Sequence, residues 1–115
     1  MRGLGVLLLL ALIVAACAGS RSSDEAYCEA YSRFLNDMVS TNIAMSEALA
    51  QMPRLEVLAR SVETDELRQS AERLALIVGK AERTGRMTDD GIDENTFGAI
   101  LKETSTLNYL CGFTE

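Results

Sequence analysis

The chain has 115 residues, 17 acidic side chains against 11 basic ones for a net charge of −6, three cysteines and no histidine. That length supports one hydrophobic core and no more, and the acidic balance disfavours nucleic acid and anionic lipid surfaces as partners of a folded part. Without histidine the usual general base near neutral pH and the commonest metal ligand are both missing.

The chain opens Met1-Arg2-Gly3, runs apolar over 4–16 with a break at Gly5, and leaves through Cys17-Ala18-Gly19-Ser20. One positive charge, an apolar stretch of roughly a dozen residues and a small-residue exit form the three-part layout of a secretory signal. A bilayer-spanning helix needs about twenty apolar residues, and Ser20, Arg21, Ser22, Ser23 and Asp24 cut this run short. The exit Val14-Ala15-Ala16-Cys17 resembles the lipobox of bacterial lipoproteins, with Val14 standing where leucine is commonest. The resemblance implies a signal peptide over 1–16, cleavage before Cys17, diacylglycerol and palmitate on Cys17, a short tether over 17–23, and a helical domain over 24–115. It also implies a chain anchored in the cell membrane and facing its extracytoplasmic side. The alternative is an ordinary signal peptidase that reads Ala16-Cys17-Ala18 and cuts before Gly19. The lipid reading is preferred because the cysteine falls where that pathway requires it.

If Cys17 carries lipid, Cys28 and Cys111 remain as one pair, in a compartment where disulfides persist. Such a bridge closes a loop of about eighty residues, worth about 4.5 kcal/mol in the chain-entropy model. That is comparable to the whole stability of about 5 to 10 kcal/mol expected for so small a domain. The alternative is two unpaired buried thiols.

From Cys28 the apolar positions step by three and four through Tyr31, Leu35 and Met38, then Asn42, Met45, Leu49 and Met52. This spacing predicts helix, with a polar interruption at Ser40-Thr41-Asn42 where Asn42 is read as a cap in preference to a buried polar residue that fixes register. Leu55, Leu58 and Val62 continue the pattern after Pro53, which should kink or restart the helix. Thr64-Asp65-Glu66 reads as an N-terminal cap with acids in the first turn, followed at helical spacing by Leu67, Ala71, Leu74, Val78 and Ala81. Gly85 ends that helix, and 87–95 is a polar, acid-rich loop. The last helix carries Phe97, Ile100, Leu101, Thr104, Leu107 and Cys111, with Gly112 as its C-terminal cap. Glu29 with Arg33, Glu56 with Arg60, and Glu82 with Arg86 stand i to i+4 in the favourable order. No stretch of useful length alternates with period two.

The expectation is an all-α fold, a small antiparallel four-helix bundle with helices over 25–39, 43–61, 64–84 and 94–111. A single helix over 25–52 would be about 40 Å long and would leave Cys28 and Cys111 at opposite ends of an up-down-up arrangement. A disulfide cannot join Cα atoms more than about 7 Å apart. An even number of helices resolves this; so does a three-helix form that returns through 85–95. Four helices are preferred, because short connections between antiparallel neighbours are the commoner design.

The stretches Tyr27-Cys28-Glu29, Thr64-Asp65-Glu66-Leu67 and Leu107-Asn108-Tyr109-Leu110-Cys111-Gly112 resemble a broad group of small exported actinobacterial proteins, many of them lipoproteins. In that group a cysteine at the start of the first helix is matched by one at the end of the last. The likeness implies the same fold and pairing here and supplies no function.

Chemistry is sparse. Lys80 and Lys102 have no motif around them that would activate a nucleophile, and Cys28 and Cys111 lack the close spacing of a redox pair. Asp89, Asp90, Asp93 and Glu94 form an acid cluster that departs from the calcium-loop pattern and is read as helix capping. Met38, Met45 and Met52 are spaced about 10 Å apart along a helix axis, too far to share a copper ion, and are read as core. No catalytic residue, metal or cofactor is expected. Tyr27, Tyr31, Tyr109 and Phe113 are a candidate recognition patch beside the bridge, or side chains that pack around it. The function expected is a membrane-tethered, non-enzymatic binding module of the cell envelope, with an envelope protein as partner. The alternatives are a phage-type exclusion or inhibitor lipoprotein and a small-ligand carrier with a cavity between its helices.

Overall fold

The computed structural model describes residues 22–113; the expectations for the signal peptide over 1–16, for Cys17 and for the first part of the tether lie outside them. Most of the described chain is helical. Its helices are α1 (Ser23–Val39), α2 (Met45–Leu49), α3 (Met52–Arg60), α4 (Asp65–Arg83) and α5 (Glu94–Leu110), with strands β1 (Met87–Thr88) and β2 (Gly91–Ile92) between the last two.

Helix α1 begins earlier than expected because the Ser22 hydroxyl accepts the Glu25 amide at 3.1 Å and Asp24 and Glu25 sit in its first turn. Ser22 is therefore a cap and Ser23 already helical, which removes both from the expected tether. The chain leaves the helix at Ser40, in extended conformation, so the expected break is present. Asn42 does not cap the next helix: it is exposed, with its amide donating to Ser40 Oγ at 3.3 Å. Ala44 holds the N-cap position of α2, and the missing capping bond comes from afar, with Ser46 N–H donating to Asp89 Oδ1 at 2.8 Å. The expected helix over 43–61 is two helices, with Pro53 in the first turn of α3. Proline there sacrifices no intrahelical bond, so Pro53 restarts the chain rather than kinking it.

Helices α4 and α5 end alike. Gly85 and Gly112 take positive φ of 71° and 78°. Arg86 and Phe113 amides reach back to Ala81 and Asn108 carbonyls at 2.8 Å, while Gly85 and Gly112 amides bond Glu82 and Tyr109. These are Schellman closures, which need the left-handed backbone that glycine adopts at no steric cost. After the first of them, 87–95 is not a plain loop. Met87 pairs with Ile92 and Thr88 with Gly91 in an antiparallel ribbon, too short for its alternation to register in the sequence. Met87 is buried at 2 % exposure and so pins the ribbon to the core.

The core gathers Tyr27, Tyr31 and Phe34 from α1, Leu49, Met52, Leu55 and Ala59 from α2 and α3, Leu67, Ala71, Leu74 and Val78 from α4, and Ile100 and Leu107 from α5. Met38 and Met45 pack against its edge and Met52 lies within it, as core residues should. On α1 the buried face is turned from the one the periodicity suggested: Phe34 is inside and Leu35 only half-buried. Phe97 and Leu101, expected on the core face of α5, are 47 % and 52 % exposed. The buried positions of that helix are Thr96, Ile100, Glu103, Thr104 and Leu107. The polar members hydrogen-bond within the structure and so take up the inward stripe.

Helix α4 packs against both α3 and α5, and α1 packs against α2 and α3. The closing side, α1 to α5, is fastened by Cys28 and Cys111, whose Cα atoms are 5.6 Å apart with the sulfurs at bonding distance. The bridge spans 83 positions of sequence, and linking them removes about 4.5 kcal/mol of unfolded-chain entropy in the loop-closure model. Replacing both cysteines by serine, or reducing the protein, should lower the melting temperature by at least about 15 °C at the sensitivity of a domain this size. Paired calorimetric scans with and without reductant measure it, and coincident transitions would show that the bridge contributes nothing.

Candidate functional site

The end of the fold that carries the bridge holds the four aromatic residues of the candidate patch. Tyr27 and Tyr31 are 1 % and 0 % exposed, so they cannot belong to a recognition surface. Their rings lie 6.2 Å apart and nearly parallel, and the Phe113 ring continues the series 6.4 Å beyond Tyr31. The Schellman closure at Gly112 folds Phe113 back to this position. Tyr31 Oη donates to Asn108 Oδ1 at 2.7 Å and lies 3.1 Å from the Thr104 carbonyl, so a buried phenol is satisfied on α5. Burial pushes both phenols well above the ordinary range, with Tyr31 and Glu103 adding to the effect at Tyr27. Of the four aromatic residues, only Tyr109 and Phe113 reach solvent, at 69 % and 49 % exposure.

Asp24, in the first turn of α1, lies at the same end. Asp24 accepts the Glu63 amide at 2.8 Å on one carboxylate oxygen and the Thr64 hydroxyl on the other. Thr64 does hold the N-cap position of α4, but its side chain serves α1 instead of its own helix. The Thr64 hydrogen bond, with lesser help from the Glu63 and Thr64 backbone and against some desolvation, holds the Asp24 carboxyl below its usual range.

Across the core, Glu103 is the buried acid, 8 % exposed. Its Oε1 accepts from Ser70 Oγ at 2.9 Å and from Arg73 Nε at 2.8 Å. This joins α4 to α5. Two members of the acid cluster cap helices. Asp93 accepts the Thr96 amide at 3.2 Å at the start of α5, and Asp89 caps α2, a helix other than the last. Among the described residues no three acidic or cysteine side chains converge as a metal site would require. Of the i to i+4 pairs, Glu29 and Arg33 meet at 3.5 Å. Glu82 and Arg86 do not pair among the described residues, since α4 stops at Arg83 and Gly85 turns the chain away; Glu56 and Arg60 do not pair either.

One concavity went unread in the sequence. A groove of about 480 Å³ opens between α1 and α3. Ala26 and Ala30 on α1, with Leu55 and Leu58 on α3, give it an apolar floor, and Glu29, Arg33, Gln51 and Arg54 stand at its rim. The one available signal was alanine at i and i+4 on the flank of α1, where a longer side chain would have filled the space. Gln51 is occupied, its Nε2 donating to Asp37 Oδ2 at 2.6 Å. Arg54 forms no ion pair among the described residues.

No protein-family model matches the chain, and no curated protein and no solved structure does so either.

The Asp24 contacts yield a pH prediction. A carboxyl whose folded pKa lies below its unfolded value of about 3.8 contributes stability that is present above that value. The contribution is lost as pH falls through the depressed folded pKa. Asp24→Asn should therefore be less stable than the parent at pH 6, with the gap narrowing below pH 4. Urea midpoints at pH 6 and pH 2.5 check this, and a gap that widens in acid would contradict the assigned hydrogen bonds.

Proposed function

We propose that this chain is a membrane-tethered, non-enzymatic binding module of the cell envelope, held by lipid on Cys17 and built as an antiparallel four-helix bundle whose second arm is the broken pair α2 and α3. The observation that carries this reading is the juxtaposition of Cys28 with Cys111, Cα atoms 5.6 Å apart, beside a helix that begins at Ser23. Both ends of the described domain then lie at one pole, and that pole is a few residues from Cys17. Five peptide steps separate Cys17 from the cap at Ser22, a reach of about 15 to 18 Å when extended. A domain so held keeps its bridged pole near the membrane while the sides of its helices stay open to other molecules.

The non-enzymatic part of the reading rests on the sequence, which has no histidine, and on the engagement of Glu103, Asp89 and Asp93 in structural hydrogen bonds. The small-ligand alternative has its own support in the α1 and α3 groove.

Palmitate labelling in a bacterial host should be abolished by Cys17→Ala; a label that persists would overturn the anchor. Crosslinking in intact cells and subsequent purification of the chain should recover envelope proteins that are lost in the Cys17→Ala variant. Recovery of the same set with and without the anchor would count against tethering as the basis of partner choice.

A further inference from the structure

We infer that the groove between α1 and α3 is a binding site for a small organic oxyanion, a single carboxylate or phosphate carried on a compact apolar body. This rests on the reading of the domain as a binding module and gives that module a ligand class.

Charge comes first. The chain carries a net charge of −6, yet the rim of this groove holds two guanidinium groups, Arg33 on one wall and Arg54 on the other, against the single carboxylate of Glu29. Glu29 meets Arg33 at 3.5 Å, a long contact between exposed groups whose side chains keep 44 % and 71 % of their surface in water. Such a pair contributes little in water and yields readily to a better acceptor. Arg54 has no carboxylate partner among the described residues. An oxyanion lying between the walls would accept from both guanidiniums, whose planar fork matches carboxylate and phosphate geometry.

The floor sets the remainder of the ligand. Ala26 and Ala30 present only methyl groups from α1, and Leu58 is half-buried below them. A groove of about 480 Å³ falls in the range of small-molecule sites, which are mostly apolar with a few placed polar groups. A cation is disfavoured by the two arginines. A fully polar anion would leave the alanine and leucine surface wet. An aromatic or short alkyl body covers that surface while its charged end stays at the rim.

The probes are benzoate and phenyl phosphate, with benzylamine and benzyl alcohol as the cationic and neutral controls of matched body. Saturation-transfer NMR on the full chain, in phosphatidylcholine nanodiscs where it is membrane-bound and free in buffer where it is not, should detect the two anions and not the controls. The stronger of the two identifies the head group. Arg54→Gln should weaken binding by about tenfold, the scale of one charge-assisted hydrogen bond. Ala30→Leu should abolish binding by filling the floor, and Leu76→Ala, at an exposed leucine on α4 with 69 % exposure, should leave it unchanged. Equal signals from anions and controls, absence of any anion signal, or binding unmoved by Arg54→Gln would overturn the site. Arg54 is exposed, so its substitution tests the proposal even where Ala30→Leu disturbs the fold. The palmitate and crosslinking experiments are independent of this groove: a labelled, partner-binding chain that ignores both anions removes the ligand and keeps the module. An unlabelled chain that binds them does the reverse.

Discussion

The link between Cys28 and Cys111 is the constraint on which the remaining geometry depends. It joins the first turns of α1 to the last residue of the α5 region, 83 positions away, along a side where those two helices have little other backbone contact. The hydrogen bond from Tyr31 to Asn108 and the ring series Tyr27, Tyr31 and Phe113 are gathered beside it. A covalent bond of this kind removes unfolded conformations whatever the quality of the local packing. That leaves the packing on this side free to be partly aromatic and partly polar, and it fixes both ends of the described domain at one pole.

The opposite side of the fold is closed by different means. Helices α4 and α5 are held by Leu74, Val78, Ile100 and Leu107 in the core and by the buried Glu103, which Ser70 and Arg73 satisfy from the neighbouring helix. A buried carboxylate without partners would cost several kcal/mol, so these hydrogen bonds specify how α4 and α5 meet. The far pole is tied by the ribbon, since Met87 reaches the core and Asp89 caps α2. Each connection in the fold therefore has a distinct fastening: the Asp24 bonds to Glu63 and Thr64 between α1 and the start of α4, Asp89 between the ribbon and α2, and the disulfide between α1 and α5.

Much of this is legible in the residues. Helical spacing locates the long helices to within a residue or two, Pro53 marks a restart, Gly85 and Gly112 mark two ends, and cysteine arithmetic singles out the pair that meets. What escapes has physical reasons. Capping by a remote side chain, as Asp89 does for α2 and Asp24 for the chain before α4, leaves no local pattern, so local motifs give Asn42 and the Thr64 hydroxyl roles they do not have. Two-residue strands are too short to show alternation. Spacing along α5 places Ile100, Thr104 and Leu107 correctly, but it also counts Phe97 and Leu101 as inward and cannot anticipate that Thr96 and Glu103 are buried instead. The four aromatic residues divide for a related reason, Tyr27 and Tyr31 packing inside while Tyr109 and Phe113 reach solvent: nearness to the bridge in sequence says nothing about which side of it a ring occupies.

The groove follows from an asymmetry in how the two helix pairs are filled. Where α4 meets α5, leucine, isoleucine and valine fill the space between the axes. Where α1 meets α3, its flank offers Ala26 and Ala30, and its large residues Tyr27, Tyr31 and Phe34 point to the centre of the core. Alanines at a helix contact usually permit close approach, which would shut the gap. Here the aromatic side chains of α1 all face the core, so the flank towards α3 is left with two methyl groups and little to fill the space beside them. Protein interiors tolerate few voids, so a space of this size persists at the surface where water or a ligand can occupy it.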